Sequence, residues 1–251
     1  ALAASATAMN ALAASATAMN ALAASATARD ILYKNKDAWG ILSKVDKAIA
    51  KYAIGCLNSS SYKPENFGSM SAVISNSAAL AALANSSTAM SALANSSTAM
   101  SALANSSTAM SALANSSTAM SALANSSTAR LALYNNADVT ESILRGSATA
   151  LSVLKSSSQY VETSGQGNTS SKYTHYSGKA FILEWKSAKT SSNTSYYSNI
   201  VTFKLSPTSI RRTCLVDFIQ VGRFASEVVT YGEYSSVSDN VNGASVRYFK
   251  I

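Results

Sequence analysis

The chain has 251 residues, of which 47% are hydrophobic and 13% are charged, and its formal net charge is +8 at pH 7. Its Lys and Arg residues form no cluster with interleaved aromatic residues, so the positive charge does not indicate a nucleic-acid-binding protein. No uninterrupted apolar run approaches the ~18 residues of a transmembrane helix, which excludes a helical membrane span.

Decapeptide repeats fill the N-terminal part of the chain. The unit Ser-Ala-Leu-Ala-Asn-Ser-Ser-Thr-Ala-Met recurs almost without change over residues 81–130, and Ala-Leu-Ala-Ala-Ser-Ala-Thr-Ala-Met-Asn opens the chain three times within residues 1–30. Because the ten-residue spacing of Met and Leu continues through less regular units, we predict one repeat body over residues 1–155. Residues 57–69 contain one of the two prolines and break this period, which predicts an inserted loop.

The spacing within each unit predicts short helices. Met and Leu lie three residues apart, on one face of a helix, but ten residues at about 100° each turn the next Met out of line. Asn-Ser-Ser-Thr favours caps and turns, so we expect a break in every unit, with Met and Leu buried and Asn-Ser-Ser exposed. We expect Gly146 to end one helix as a C′ residue and Ser147 to cap the next.

These short helices could assemble in more than one way. A solenoid in which each helix is closed by an Asn/Ser-Ser turn is the preferred arrangement, because isolated helices of this length are marginal and need stacking. A trimeric helical shaft with irregular layers is the second possibility. A β-solenoid is the third, since Ala, Met and Asn are weak strand formers.

Residues 156–251 differ in composition and contain 14 of the 20 aromatic residues. We therefore predict an α+β protein, in which the repeat body at residues 1–155 precedes an antiparallel β sandwich or barrel at residues 156–251. Turn-forming residues separate six strand-like runs at residues 159–162, 180–185, 199–205, 213–221, 227–231 and 245–251.

The predicted loops of this β module are the candidate recognition site. Segments 163–176, 187–197 and 231–242 are polar and carry aromatic residues, and loops on a rigid scaffold often bind ligands. A Tyr ring offers an apolar face and a hydroxyl group, which suits a sugar ring or a protein surface. The candidate ligand-binding residues are Tyr173, Tyr176, Tyr196, Tyr197, Tyr231 and Tyr234.

The sequence offers no set of residues for catalysis or for binding a metal. His175 is the only His, and no nucleophile or carboxylate is placed by spacing to act with it. Cys56 and Cys214 lie far apart and form no metal-binding spacing. No zinc, calcium or phosphate-binding motif occurs. We therefore expect a protein that is not an enzyme and that needs no cofactor.

The repeat units resemble a known class of array. Asn-Ser-Ser-Thr-Ala-Met-Ser-Ala-Leu-Ala and Ala-Ser-Ala-Thr-Ala-Met-Asn-Ala-Leu-Ala are similar to the "SSTAM" decapeptide arrays of large bacteriophage tail-fibre and related virion proteins. Ser-Thr-Ala-Arg-Leu-Ala-Leu-Tyr-Asn-Asn and Ala-Thr-Ala-Arg-Asp-Ile-Leu-Tyr-Lys-Asn resemble the variants that interrupt those arrays. The resemblance covers residues 1–155 and transfers no catalytic residue.

This resemblance implies a homotrimeric structural protein of the virion, in contact with other virion proteins. Its β-rich end would bind the host surface, at a glycan or an outer-membrane component. One alternative is an extracellular filament subunit whose β module mediates polymerisation and whose eight Asn-x-Ser triplets carry glycans. A second alternative is a tailspike-type glycan hydrolase, which would need two opposed carboxylates that the sequence does not pair.

Overall fold

The computed structural model describes the backbone of residues 2–165, 173–187, 200–205, 211–215, 230–239 and 244–251. Side-chain burial is described for residues 3–163, 178–181, 183 and 246–251. The chain divides into two compact units, Ala1–Val153 and Leu154–Ile251. We call the first the repeat body and the second the β unit, and we describe each by itself.

The repeat body is built from short helices. A 3-10 helix at Leu2–Ala4 precedes α1, and a second at Pro64–Asn66 lies between α5 and α6. The α-helices of the described residues are α1 Ala6–Ala14, α2 Ala16–Ala24, α3 Ala26–Lys34, α4 Lys36–Leu42, α5 Asp46–Gly55, α6 Met70–Ser75, α7 Ser77–Ala84, α8 Ser87–Ala94, α9 Ser97–Ala104, α10 Ser107–Ala114, α11 Ser117–Asn125, α12 Ser127–Asn135, α13 Ala137–Gly146 and α14 Ala148–Ser156.

Serine side chains set the helix starts. The Oγ of Ser86 accepts the amide of Ala89 at 3.3 Å, and the same contact recurs in the decads that follow, which satisfies an amide that the first helical turn leaves without a partner. Ser147 caps α14 as predicted, because its Oγ accepts the amide of Ala150 at 3.1 Å. The prediction for Gly146 was wrong: it is the last residue of α13 and does not have the positive φ of a C′ residue.

Asparagine side chains close the helix ends. The Nδ2 atoms of Asn85, Asn95 and Asn115 donate to the carbonyl oxygens of Ala81, Ser91 and Ser111, four residues earlier, at 2.9–3.0 Å. These bonds satisfy carbonyl groups that the last helical turn leaves free. Helices therefore end in every decad between residues 81 and 130, which excludes the continuous helix of a coiled shaft.

Most helices of the repeat body stack on the third helix before them. The pairs α7–α10, α8–α11, α9–α12 and α10–α13 are in contact, as are α1–α4 and α2–α5. One turn of the resulting coil takes three helices, so decads with identical sequences occupy different sides of the body. This arrangement is a short-helix solenoid, and Met90, Leu93, Met100 and Leu103 are buried in it as predicted.

Hydrogen bonds join successive coils. The Oγ atoms of Ser116, Ser126 and Ser147 donate to the carbonyl oxygens of Ala84, Ala94 and Ala114, each at 2.6 Å. These serines are buried. In the regular decads the Asn and the second Ser of the Asn-Ser-Ser turn are exposed as predicted, but the first Ser is buried at Ser96, Ser116 and Ser126. The prediction failed for these first serines because a capping hydroxyl also has a proton to donate, and the stacked coil offers it a carbonyl.

The non-repetitive segment between α5 and α6 packs on the helices beside it. Lys51 is buried, and its Nζ donates to the carbonyl oxygen of Pro64 at 2.8 Å. Phe67 is buried as well. The Oδ1 of Asp46 accepts the amide of Met70 at 3.1 Å, which joins the start of α5 to the start of α6. These contacts fix the position of α6, where the coil resumes, relative to α5.

The β unit contains one antiparallel sheet. The described strands are β1 Tyr160–Gly165, β2 Tyr173–Ser187, β3 Ile200–Leu205, β4 Arg211–Leu215, β5 Thr230–Asp239 and β6 Ala244–Lys250, in the order β1-β6-β2-β5-β3-β4. Ala180, Phe181, Leu183, Val246 and Phe249 are fully buried, so the β2–β6 pair carries the described core. The described strands show neither the second sheet of a sandwich nor the closure of a barrel.

Candidate functional site

Four of the six candidate tyrosines lie in strands. Tyr173 and Tyr176 belong to β2, and Tyr231 and Tyr234 belong to β5, where loops were expected. The Ser, Thr and Gly residues around them looked like turns, but β2 and β5 satisfy each other's backbone groups along this length. Register shifts in β2 and the positive φ of Gly178 accommodate the irregular sequence.

The strand register brings these four tyrosines onto one pair of neighbouring strands. Tyr176 is paired with Val237, and Gly178 with Tyr234, so Tyr176 and Tyr234 are close along the ladder. Tyr231 is paired with Phe181 at the other end of the same segment. His175 also lies in β2. Tyr196 and Tyr197 lie outside the described residues.

A polar groove in the repeat body is a second candidate, and the sequence did not predict it. It has a volume of about 430 Å³ and lies along the stacked helices α8 and α11. Ser87 and Ser91 line it from α8, and Asn95 lines it from the C-cap of the same helix. Ser121 and Asn125 line it from α11, and Tyr33 lines it from α3. These residues lie far apart in the sequence, and only the three-helix coil brings them together, so the sequence alone did not predict the groove.

Neighbouring side chains fix the position of Tyr33. Its hydroxyl donates to the carbonyl oxygen of Ser91 at 3.3 Å and accepts from the Nδ2 of Asn95 at 3.0 Å. Its ring meets that of Trp39 edge to face, with centroids 4.8 Å apart. The groove therefore presents hydroxyl groups, amides and one held aromatic ring, with no carboxylate or basic group in its lining. These groups suit a neutral, hydrogen-bonding ligand.

Two arginines occupy the position that Met holds in the regular units. Arg29 follows Met19 by ten residues, and Arg130 follows Met120 by ten. The Nη1 of Arg130 donates to the carbonyl oxygen of Ala124 at 2.9 Å, and Arg29 makes the same contact with Ala23. In the regular units, the carbonyl at this position accepts the serine hydroxyl of the next coil. At the two places where the regular sequence ends, an arginine therefore donates to the helix-end carbonyl oxygen in place of a serine hydroxyl.

Arg29 also organises a buried polar cluster. Only 6% of its surface is exposed, and its Nη2 donates to the Oδ1 of Asn58 at 2.5 Å. The hydroxyl of Tyr52 donates to the carbonyl oxygen of Arg29 at 2.9 Å. Burial raises the pKa of Tyr52, and it raises the pKa of the free thiol of Cys56 to about 11 although Arg29 opposes the shift. Cys56 is thus a protonated thiol at neutral pH, which is not the state of a nucleophile.

The described side chains include no group of three or more His, Cys, Asp or Glu residues that could hold a metal ion. Among the described helices, none has the length and the hydropathy needed to cross a membrane.

In comparisons with known proteins, no family model matches this chain, and no curated protein sequence matches it. The described side chains offer one candidate binding surface, the groove beside Tyr33. For the candidate tyrosines, the backbone shows that Tyr173, Tyr176, Tyr231 and Tyr234 belong to two neighbouring strands.

Proposed function

We propose that this protein is a structural component of a virion, similar to a tail fibre. In this proposal the repeat body is a spacer of fixed length and the β unit attaches the particle to a host surface. The stacking of most helices on the third helix before them is the observation that carries the proposal. A stack with identical hydrogen bonds between coils sets a defined length per coil, as a spacer requires.

The proposal includes a homotrimer and contacts with other virion proteins. The homotrimer rests on the resemblance of the decads to tail-fibre arrays, which implies this assembly. A closed barrel or a two-layered sandwich at the β unit is part of the proposal as well. The ligand is a host glycan or an outer-membrane component, because tyrosines with polar neighbours suit such surfaces.

Binding of the full chain to bacterial cells tests this function. The fluorescently labelled protein is mixed with a panel of bacterial strains, and bound protein is measured by flow cytometry. We expect strain-selective binding that falls at least tenfold when Tyr196 and Tyr197 are both replaced by Ala. The matched control is Tyr62→Ala, which removes a ring from the repeat body and should leave binding unchanged.

Electron microscopy and sedimentation separate the alternatives. A discrete trimer with cell binding supports the proposal. Open filaments that lengthen with concentration would replace it with the filament-subunit function. Release of reducing ends from a bound polysaccharide would replace it with the hydrolase function. Binding to no strain, or equal binding by the double Tyr variant, would contradict the attachment role.

A further inference from the structure

The groove beside Tyr33 has a frame that the protein's own hydrogen bonds hold in place. The Nδ2 of Asn95 donates to the carbonyl oxygen of Ser91 at 2.9 Å and to the hydroxyl of Tyr33 at 3.0 Å. The Oδ1 of the same amide lies 3.1 Å from the Oγ of Ser126, at the start of α12. Three separate parts of the chain are therefore joined around Asn95, and the Tyr33 ring is positioned without any ligand.

The polar groups around this frame are free to bind a ligand. Ser87, Ser91, Ser121 and Asn125 line the groove and are exposed, and within the described contacts their side chains bond to no other protein group. A serine hydroxyl and an asparagine amide each both donate and accept hydrogen bonds. The lining contains no charged side chain. The matching ligand therefore carries donors and acceptors together and has no net charge.

A saccharide fits this description better than other ligand classes. Each of its hydroxyl groups donates and accepts, and the C–H groups of a pyranose ring can pack on the aromatic ring of Tyr33. An anionic ligand would find no cation in the lining, and an apolar ligand would cover the serine hydroxyls without bonding to them. The volume of about 430 Å³ lies within the ~300–1,000 Å³ that small-molecule sites occupy.

We propose that the groove is a saccharide-binding site of the repeat body and takes a short neutral oligosaccharide. One pyranose ring packs on Tyr33, and hydroxyl groups of the sugar bond to Ser91 of α8 and to Ser121 and Asn125 of α11. This inference goes beyond the attachment role of the β unit and does not depend on it, because all the residues that carry it belong to the repeat body.

NMR titration of the full chain tests the site. The protein is labelled with ¹⁵N at its 12 tyrosines, and single Tyr→Phe variants assign the amide signals of Tyr33, Tyr196 and Tyr197. One titration then follows the groove and the β unit separately. The probes are maltotriose, cellotriose and triacetylchitotriose, which are neutral. We expect at least one of them to shift the Tyr33 amide signal in a saturable way.

Two matched leucine variants locate the binding. Ser121→Leu fills the groove with a side chain that cannot hydrogen-bond, and leucine is well tolerated at an exposed helix position. It should raise the Kd of the trisaccharide at least fivefold. Ser111→Leu places the same change in the identical decad of α10, which does not line this groove, and should leave the Kd unchanged.

Tyr33→Ala removes the aromatic ring and should raise the Kd at least tenfold, measured from the shifts of the other signals or by calorimetry. Because Tyr33 packs on Trp39, circular dichroism checks that this variant is folded. The Ser121→Leu comparison stands without it, since that change touches no described contact of the frame.

Several results would overturn the proposal. None of the three trisaccharides shifts the Tyr33 amide signal, or Ser121→Leu and Ser111→Leu bind with the same affinity. Equal or tighter binding of trigalacturonic acid, or of the end-blocked peptide Gly-Ser-Asn-Ser-Gly, would show that the ligand class is wrong. Shifts confined to Tyr196 and Tyr197 would refute the groove site and leave the attachment role of the β unit standing.

Discussion

The hydroxyl of Ser126 donates to the carbonyl oxygen of Ala94 at 2.6 Å, although 32 residues separate them in the sequence. The same Oγ accepts the amide of Ala129 at 3.3 Å, so one side chain both starts a helix and joins it to the coil below. Ser116 makes the equivalent contacts with Ala84 and Ala119. A ten-residue sequence repeat is thereby converted into a three-helix structural repeat.

Ser126→Ala should destabilise the repeat body more than Ser106→Ala. Both changes remove a helix cap, which costs about 1 kcal/mol. Only Ser126→Ala also leaves a buried carbonyl without its donor, at a further cost of about 1–3 kcal/mol. For Ser106 the cap to Ala109 is the described side-chain bond. Urea unfolding followed by circular dichroism measures the difference, and equal midpoints would contradict the role of the inter-coil bond.

Gly55→Ala should be strongly destabilising. A Cβ at Gly55 would lie 2.0 Å from the carbonyl oxygen of Ala23, so α5 and α2 would have to separate. Such overpacking costs about 1–3 kcal/mol or more. Gly40→Ala is the control, since nothing lies within 4 Å of its Cβ position in α4, and it should stabilise the helix by about 0.5–1 kcal/mol. Thermal unfolding of both variants measures this, and a stable Gly55→Ala protein would disprove the close approach of these helices.

Arg29→Met should weaken the first coils even though it restores the consensus residue. The change removes the donors to Ala23 and Asn58 inside a buried cluster, and bonds from a charged group contribute about 1.5–3 kcal/mol. Hydrogen exchange should rise in α2 and α5 and stay constant in α10. Arg29→Lys should recover only part of the stability, because its single ammonium group does not reproduce the two-armed contact. Unchanged exchange in α2 would contradict the assignment.

The thiol of Cys56 makes stability fall at high pH. Its pKa in the folded protein is about 11, above the ordinary value of 9.0. Between these two pKa values the folded state keeps a proton that the unfolded state loses. The resulting stabilisation of the folded state is therefore full below pH 9 and is lost as the pH rises towards 11. Urea midpoints from pH 8 to 11, measured in a Cys214→Ser background, should fall less steeply when Cys56 is also replaced by Ala. Parallel curves for the two proteins would contradict the shift.

The short helices could be predicted from the sequence, but the coil could not. The three-residue spacing of Met90 and Leu93 places both on one helix face, and the Asn-Ser-Ser segment marks the break. The angle between successive helices depends on the backbone at each capping serine, and a perfect repeat gives no sign that decads three units apart are neighbours. The groove beside Tyr33 was missed for this reason.

In the β unit, the sequence indicated the strands but misplaced their ends. Runs of β-branched and aromatic residues gave the centres of β2 and β6 around Phe181 and Phe249. Tyr173 and Tyr234 were assigned to loops because polar and small residues surround them. Pairing with a neighbouring strand overrode that local preference, as is common for strands.

Cross-linking tests the central claim, the three-helix coil, most directly. The Oγ of Ser116 lies 3.2 Å from the Oδ1 of Asn85, and the Oγ of Ser126 lies 3.1 Å from the Oδ1 of Asn95. Cysteines are placed at 85 with 116 and at 95 with 126, in a chain with Cys56→Ser and Cys214→Ser, and treated with a short bismaleimide. The controls exchange the partners, 85 with 126 and 95 with 116. We expect intramolecular cross-links in the first two variants and little in the exchanged ones. Equal yields in all four variants, or cross-links only between chains, would contradict the coil.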